Sequence, residues 1–339
     1  MKKSFLALAL MGAFSGAAFA QSSVTIYGVA DIGVQGVSAG AGKQAKVTSG
    51  QQGGSRLGFK GTEDLGGGLK ANFVLEQGVK MDTGESDQSG RTFGRTTLVG
   101  LSGDFGSVNL GRDKTTTLKF FDSYDPFGSA LVNNGNGTRA LYFVAGKVNK
   151  DETNGRVSNA IFYNTPDLSG FKAAVSYGAG EKAGDNSAER SVGLTANYKV
   201  DALEVGYNYA KDNVIGNAVS ANTVAAAYDF GVAKPVFLFQ KQKDDKGMDR
   251  KIYTLAVSAP VTATGKVLAG FTKVSDSAVA KDVKQFSLGY VHGLSKRTDL
   301  YAAYAYAKQD SEATIVSDQF AGKKGSKVHE LTAGIQHRF

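Results

Sequence analysis

Apolar and polar residues alternate with a period of two along much of this chain, and the cleanest run is the last, V-H-E-L-T-A-G-I-Q-H-R-F at 328–339. Leu331, Ala333, Ile335 and Phe339 fall on one face, and Glu330, Thr332, Gln336 and Arg338 on the other. That period predicts a strand with one apolar and one wet surface. Its length suits a tilted crossing of a bilayer, which takes roughly 9–11 residues. The closing phenylalanine suits the headgroup level, where aromatic side chains gather. Inside lipid no water is present to satisfy an unpaired backbone edge. The last strand is therefore expected to pair with the first, near Val24, so that the sheet closes on itself.

The same rhythm predicts sixteen strands, at 23–37, 54–61, 68–79, 91–101, 107–112, 156–164, 171–178, 190–200, 203–211, 222–230, 234–243, 251–258, 266–274, 283–291, 299–308 and 328–339. In the first, Val24, Ile26, Ala30, Ile32 and Val34 share a face opposite Thr25, Asp31 and Gln35, and a polar, glycine-rich loop follows as far as Gly53. Tight turns such as E-D-L-G-G at 63–67 and S-G-D-F-G at 102–106 alternate with longer connections rich in Asp, Lys, Asn and Ser. Glycine supplies the positive φ that such turns need. Short turns on one side, long polar loops on the other and an even strand number predict an all-β fold. The expected architecture is a transmembrane antiparallel 16-stranded β-barrel with both termini on the periplasmic side. Pro235 is then confined to a strand end or a bulge, because a closed barrel has no free edge. A soluble β-sandwich shares the alternation, but the strand number, lengths near ten and the aromatic C-terminus favour the barrel. Between 113 and about 155 the alternation lapses, and a connection of that length points to a functional loop.

Residues 1–20 read as a signal peptide to be cleaved: Lys2 and Lys3, an apolar core from Phe5 to Phe14, and A-F-A at 18–20. The barrel domain then spans 21–339. Composition agrees with an exported sheet protein: 44 glycines, four prolines, no cysteine or tryptophan, and 14 tyrosines with 20 phenylalanines for aromatic girdles. The net charge is +8, or +6 once Lys2 and Lys3 are removed. No basic cluster points to nucleic acid, and small anionic solutes are the better fit to this balance. Catalytic signals are weak. G-V-S-A-G at 36–40 fits the nucleophile-elbow pattern but has no helix after it. His292, His329 and His337 lack metal-ligand spacing. No phosphate-binding loop is present, and no cofactor is implied.

Alternation also assigns faces within strands. Leu57 and Phe59 turn outward, which points Arg56 and Lys60 into the lumen; Leu69, Phe73 and Leu75 turn outward, which points Lys70, Asn72 and Glu76 inward. With Thr96 and Leu98 outward, Arg95 is lumenal, and with Ile161 and Tyr163 outward, so is Arg156. A cationic ladder on neighbouring strands is expected, faced by carboxylates of the long loop: Asp122, Asp125 and, less directly, Asp113. Charge on two walls of a narrow, low-dielectric opening sets up a transverse field. Because the bases outnumber the acids that must face them, anion preference is expected.

Several stretches resemble the general porins of beta-proteobacteria. They are S-V-T-I-Y-G at 23–28, S-R-L-G-F-K-G-T-E-D-L-G-G-G at 55–68, L-S-G-D-F-G at 101–106 with L-G-R at 110–112, L-G-Y-V-H at 288–292 with L-S-K-R-T at 294–298, and the terminal Phe339. The resemblance runs end to end. It implies a homotrimer in outer-membrane lipid, a long third extracellular loop folded into the lumen, and recognition of Phe339 by the barrel-assembly machinery. It places the constriction arginines at Arg56, Arg95 and Arg156 and the lumenal carboxylate at Glu76, and Y-D-P-F-G at 124–128 resembles the loop tip. The function expected is passive diffusion of small hydrophilic solutes with anion preference. A substrate-specific channel, an enzymatic barrel and an adhesin remain as alternatives.

Overall fold

The computed structural model describes residues 23–39, 42–128, 131, 142–146, 155–185, 187–276, 282–310, 325 and 327–339. The expected signal peptide lies outside the described residues.

Among the described residues seventeen antiparallel strands form one sheet. They are β1 (Ser23–Ala39), β2 (Gly42–Ser49), β3 (Arg56–Gly66), β4 (Leu69–Gly78), β5 (Thr96–Gly103), β6 (Gly106–Lys114), β7 (Arg156–Asn164), β8 (Phe171–Gly178), β9 (Ser191–Val200), β10 (Leu203–Val214), β11 (Asn217–Tyr228), β12 (Lys234–Asp244), β13 (Asp249–Pro260), β14 (Gly265–Asp276), β15 (Val283–Gly293), β16 (Thr298–Gln309) and β17 (Lys327–Arg338). The first and last strands meet from Val29↔Arg338 to Ser38↔His329, and this pairing closes the barrel. Phe339 extends it: its N–H donates to the Gly28 carbonyl at 3.1 Å, its carbonyl accepts from Gly28 at 2.9 Å, and its ring lies over Gly28.

The sixteen expected wall positions hold seventeen strands because the second position is split. β2 pairs with the upper half of β1, from Ile32 to Ala39, and β3 with the lower half, from Ser23 to Val29. Most of β2 is exposed on both faces, so it carries no apolar alternation, and the sequence pattern assigns it to the polar loop that ends at Gly53. Residues 50–55, between the two segments, leave the wall and bend inward.

The surface is apolar outside and polar inside, the inverse of a soluble protein. Val24, Val99, Leu255 and Leu331 are each at least 60% exposed, whereas Asp31, Asn208, Gln240, Glu330 and Thr332 are fully buried. Such a belt needs lipid to cover it. Pro235 occupies the second residue of β12, near a strand end as expected.

The long third connection contains an element that alternation could not reveal, the helix α1 (Thr116–Tyr124). Its N-cap is Thr115, whose hydroxyl accepts from the Leu118 N–H at 3.0 Å. Leu118, Phe120, Phe121 and Tyr124 bury themselves with inward-facing wall residues such as Ala225, Leu238 and Ile252. Gly206 makes room for them: a Cβ there would stand 2.6 Å from the Tyr124 hydroxyl and 2.7 Å from the Phe120 ring. Beyond the helix, Phe127 and Leu131 pack on Leu268, Val291 and Tyr301. The connection thus follows the inner wall from β9 to β16, leaving the inner faces of β3 to β5 across the lumen.

Candidate functional site

On that free wall the site is organised around Glu76 of β4. Arg95 Nε donates to Glu76 Oε1 at 2.7 Å, Arg56 Nε stands 3.4 Å from Oε2, and the Tyr27 hydroxyl donates to Oε2 at 3.0 Å. Lys60 lies two turns of the pleat beyond Arg56 on the same face, its Nζ 5.3 Å from the centre of the Tyr27 ring. Two guanidinium groups therefore share one carboxylate, with the Lys60 ammonium on the same inner face beside Tyr27. Each guanidinium is anchored by a charge-assisted contact, and the patch keeps an excess of positive charge.

A second carboxylate holds this cluster from behind. Asp31 accepts from the backbone N–H groups of Gln51 at 3.0 Å, Gln52 at 3.1 Å and Gly53 at 2.9 Å. Its remaining donors come from across the closure: Tyr301 Oη at 2.7 Å and Gln336 Nε2 at 2.8 Å. The buried charge is thus matched by five donors. The turn it fixes meets both arginines. Gly54 offers its carbonyl to Arg56 Nη1 at 2.8 Å, and a Cβ on Gly54 would lie 2.5 Å from Arg95 Nη1. Only glycine lets the guanidinium rest there. Sequence reasoning placed Asp31 on the polar face and missed this role. The signal available was a carboxylate in mid-strand followed, some twenty residues on, by the turn-forming G-Q-Q-G-G at 50–54.

Arg56, Lys60, Glu76 and Arg95 come together, but the route to Arg95 differs from the expected one. β5 begins at Thr96, and Arg95 belongs to the turn before it. Thr96 pairs with Glu76 and Leu98 with Val74, so both face inward, and Leu98 packs on Val157, Ala160 and Phe162. Their expected outward placement is corrected. A slip of one residue exchanges the two faces of a strand, and here the slip falls at the turn.

Parity fails at Arg156 as well. A register shift opposite Gly111 and Asp113 and the positive φ of 52° at Asn159 mark a bulge between Arg156 and Ile161. Arg156 is 3% exposed and its Nε donates to Gln88 Oε1 at 3.2 Å. It pairs in register with Lys114, which lies within electrostatic reach of both Arg156 and Arg95.

Each of the three expected carboxylates has a partner close in sequence, and Asp113 lies in β6 rather than in the loop. Asp122 pairs with Lys114 at 2.5 Å. Asp113 pairs with Lys119 at 2.7 Å and accepts from the Thr96 hydroxyl at 2.9 Å. Asp125 caps the end of α1, its Oδ1 accepting from the Phe127 N–H at 2.9 Å, and so shapes the turn into Y-D-P-F-G. The expected acidic wall is thus broken up by Lys114 at the end of β6 and Lys119 of α1, both close in sequence to their partners. Among the described residues no cluster of metal-ligating side chains occurs. The first four residues of the nucleophile-elbow pattern, Gly36 to Ala39, end β1, where Ser38 pairs with Lys43 and His329.

A closed barrel with a lipid-facing belt, a loop laid along its inner wall and a charged narrowing defines a channel across a membrane. The chain belongs to the Gram-negative porin family, whose model matches residues 7–312. It is 38% identical to outer membrane porin protein 32 of Delftia acidovorans, with 100% of each chain covered. It is 32% identical to an outer membrane porin protein of Bordetella pertussis, again over 100% of both. Among solved structures it resembles an anion-selective porin from Comamonas acidovorans, with a TM-score of 0.82 and 36% identity over 94% of this chain and 100% of that one. The protein is an outer-membrane pore for passive diffusion of small hydrophilic solutes, a channel and not an enzyme.

Proposed function

We propose that this pore favours anions and that Arg56, Arg95 and Lys60 form its selective wall. The observation that carries the reading is the imbalance at Glu76: one carboxylate is shared by two arginines with Lys60 on the same inner face, while Asp113 and Asp122 are each engaged by a lysine. In a narrow opening with low-dielectric walls an uncompensated charge acts at nearly its full strength on passing ions. Arg156, beside Lys114, extends the positive field toward the base of the loop. The anion-selective porin from Comamonas acidovorans supports the same reading by its overall likeness. The test is the reversal potential of single channels across a KCl gradient. Its sign should report chloride preference in the native pore, and Arg56→Glu with Arg95→Glu should abolish or invert it. Cation preference in the native pore would overturn the proposal.

The same reading includes a homotrimer, export by cleavage after Ala20, and Phe339 as the residue that the barrel-assembly machinery engages. Exposure of Phe339, 52%, on the final strand leaves its ring accessible at the rim. Mass measured in detergent, N-terminal sequencing of the mature protein and the outer-membrane yield of a Phe339 deletion test these in turn.

A further inference from the structure

Four lysines stand directly opposite one another on the outside of the barrel. Lys273 of β14 pairs with Lys284 of β15, Lys284 with Lys308 of β16, and Lys308 with Lys327 of β17. Each is flanked by an inward residue that is fully buried, Val274, Val283, Ala307 or Val328, so all four project outward. A similar pair, Lys241 and Lys251, lies on β12 and β13.

Like charges directly opposite across strands destabilise a sheet, and among the described residues no carboxylate pairs with any of the four. Two acids share the face one step nearer the loops, Asp282 and Asp310, and Asp282 accepts from the Ser275 hydroxyl at 3.0 Å. One step nearer the membrane centre runs an unbroken aromatic row, Phe271, Phe286, Tyr306 and His329, in the same register. The Phe271 and Phe286 rings are 4.8 Å apart and those of Tyr306 and His329 4.9 Å. Aromatic rows mark the headgroup level of a barrel. The strand ends beyond the lysines lead into the longer connections, at 277–282 and 310–326, which identifies the extracellular side.

We propose that this row binds the phosphate groups of outer-leaflet lipid. Four ammonium groups at the cross-strand spacing of about 5 Å span roughly 15 Å, wide enough for more than one phosphate. Their flexible stems reach up from the aromatic level toward the headgroups. The lipid phosphates supply the counter-charge that the sheet itself lacks. This site lies on the outer face and is independent of the selective wall in the lumen.

The probe is lipid A carrying two phosphates, added to the full chain folded in detergent and followed by native mass spectrometry, with its dephosphorylated form as control. The native protein is expected to hold the diphosphorylated lipid in a salt-sensitive manner, and K273Q/K284Q/K308Q/K327Q to hold it at least tenfold less tightly. A basic residue near an anionic membrane surface contributes about fivefold. The fourfold Lys→Arg variant should bind like the native protein. The Lys→Gln barrel, relieved of like-charge repulsion, should unfold in pure detergent at the same temperature or higher. Its reversal potential should match the native one. Should either variant not fold, K284Q/K308Q carries the same test at the centre of the row. Equal binding of the lipid by native and neutralised proteins, or equal binding of its dephosphorylated form by the native protein, would overturn the proposal.

Discussion

The Tyr301 hydroxyl donates to Asp31 at 2.7 Å, joining residues 270 positions apart in the chain. This contact ties the strand next to the closure to the carboxylate that holds the inward turn at 50–55, and so reaches the arginines through Gly54. Tyr301→Phe removes one hydrogen bond to a charged group, which should cost about 1.5–3 kcal/mol. Asp31→Asn weakens all five contacts and should cost more. Both are expected to lower the temperature at which the folded barrel is lost in detergent. Because the turn positions Arg56 and Arg95, Asp31→Asn should also reduce anion preference. A pore that keeps its full reversal potential would show that the turn is structural only.

Glu76 offsets part of the positive charge on the selective wall. Glu76→Gln should therefore raise the chloride-to-potassium permeability ratio while leaving the barrel folded. The opposite sign would mean that Glu76 acts chiefly by holding the two guanidinium groups in place, an effect readable as a change in conductance at constant salt.

Lys114 and Asp122 are both about a third exposed, at 33% and 27%, so their pair should contribute only about 0–1 kcal/mol to stability. Asp122→Asn is thus expected to leave thermal stability nearly unchanged. It should still increase anion preference, because an ammonium at the base of the loop loses its partner. A fall in preference would place Asp122 among groups that attract no cation of their own.

Gly206 lets α1 approach the wall of β10. In Gly206→Ala the new methyl group would meet the Tyr124 hydroxyl and the Phe120 ring well inside van der Waals contact. The helix must then shift, with a loss on the order of 1–3 kcal/mol for overpacking. Single-channel conductance and its noise should change together. An unaltered conductance would indicate that the helix does not limit the opening.

The barrel was legible from alternation because lipid on one side and water on the other impose a period of two on every crossing strand. Strand faces in β3 and β4 followed, and with them Arg56, Lys60 and Glu76. Legibility failed where the period is interrupted. The turn before β5 reversed the assignment of Thr96 and Leu98, and the bulge at Asn159 severed Arg156 from the parity of Ile161 and Tyr163. α1 was hidden because it lies where the period of two lapses, and nine residues are too few for a 3.6-residue period to stand out. The fate of Asp113 and Asp122 was hidden too, since a charge pattern names possible partners without choosing among them.

Solvent on the two faces of a strand acts residue by residue, so the linear order of side chains was enough to determine an outer-membrane barrel closed between its first and last strands. Contacts between segments far apart in the chain obey no such local rule. The meeting of Tyr301 with Asp31, the split second wall position and the neutralisation of the loop carboxylates were decided only when the sheet closed and the third connection settled inside it. Each depends on which groups a buried charge can reach in three dimensions, and distance along the chain does not set that.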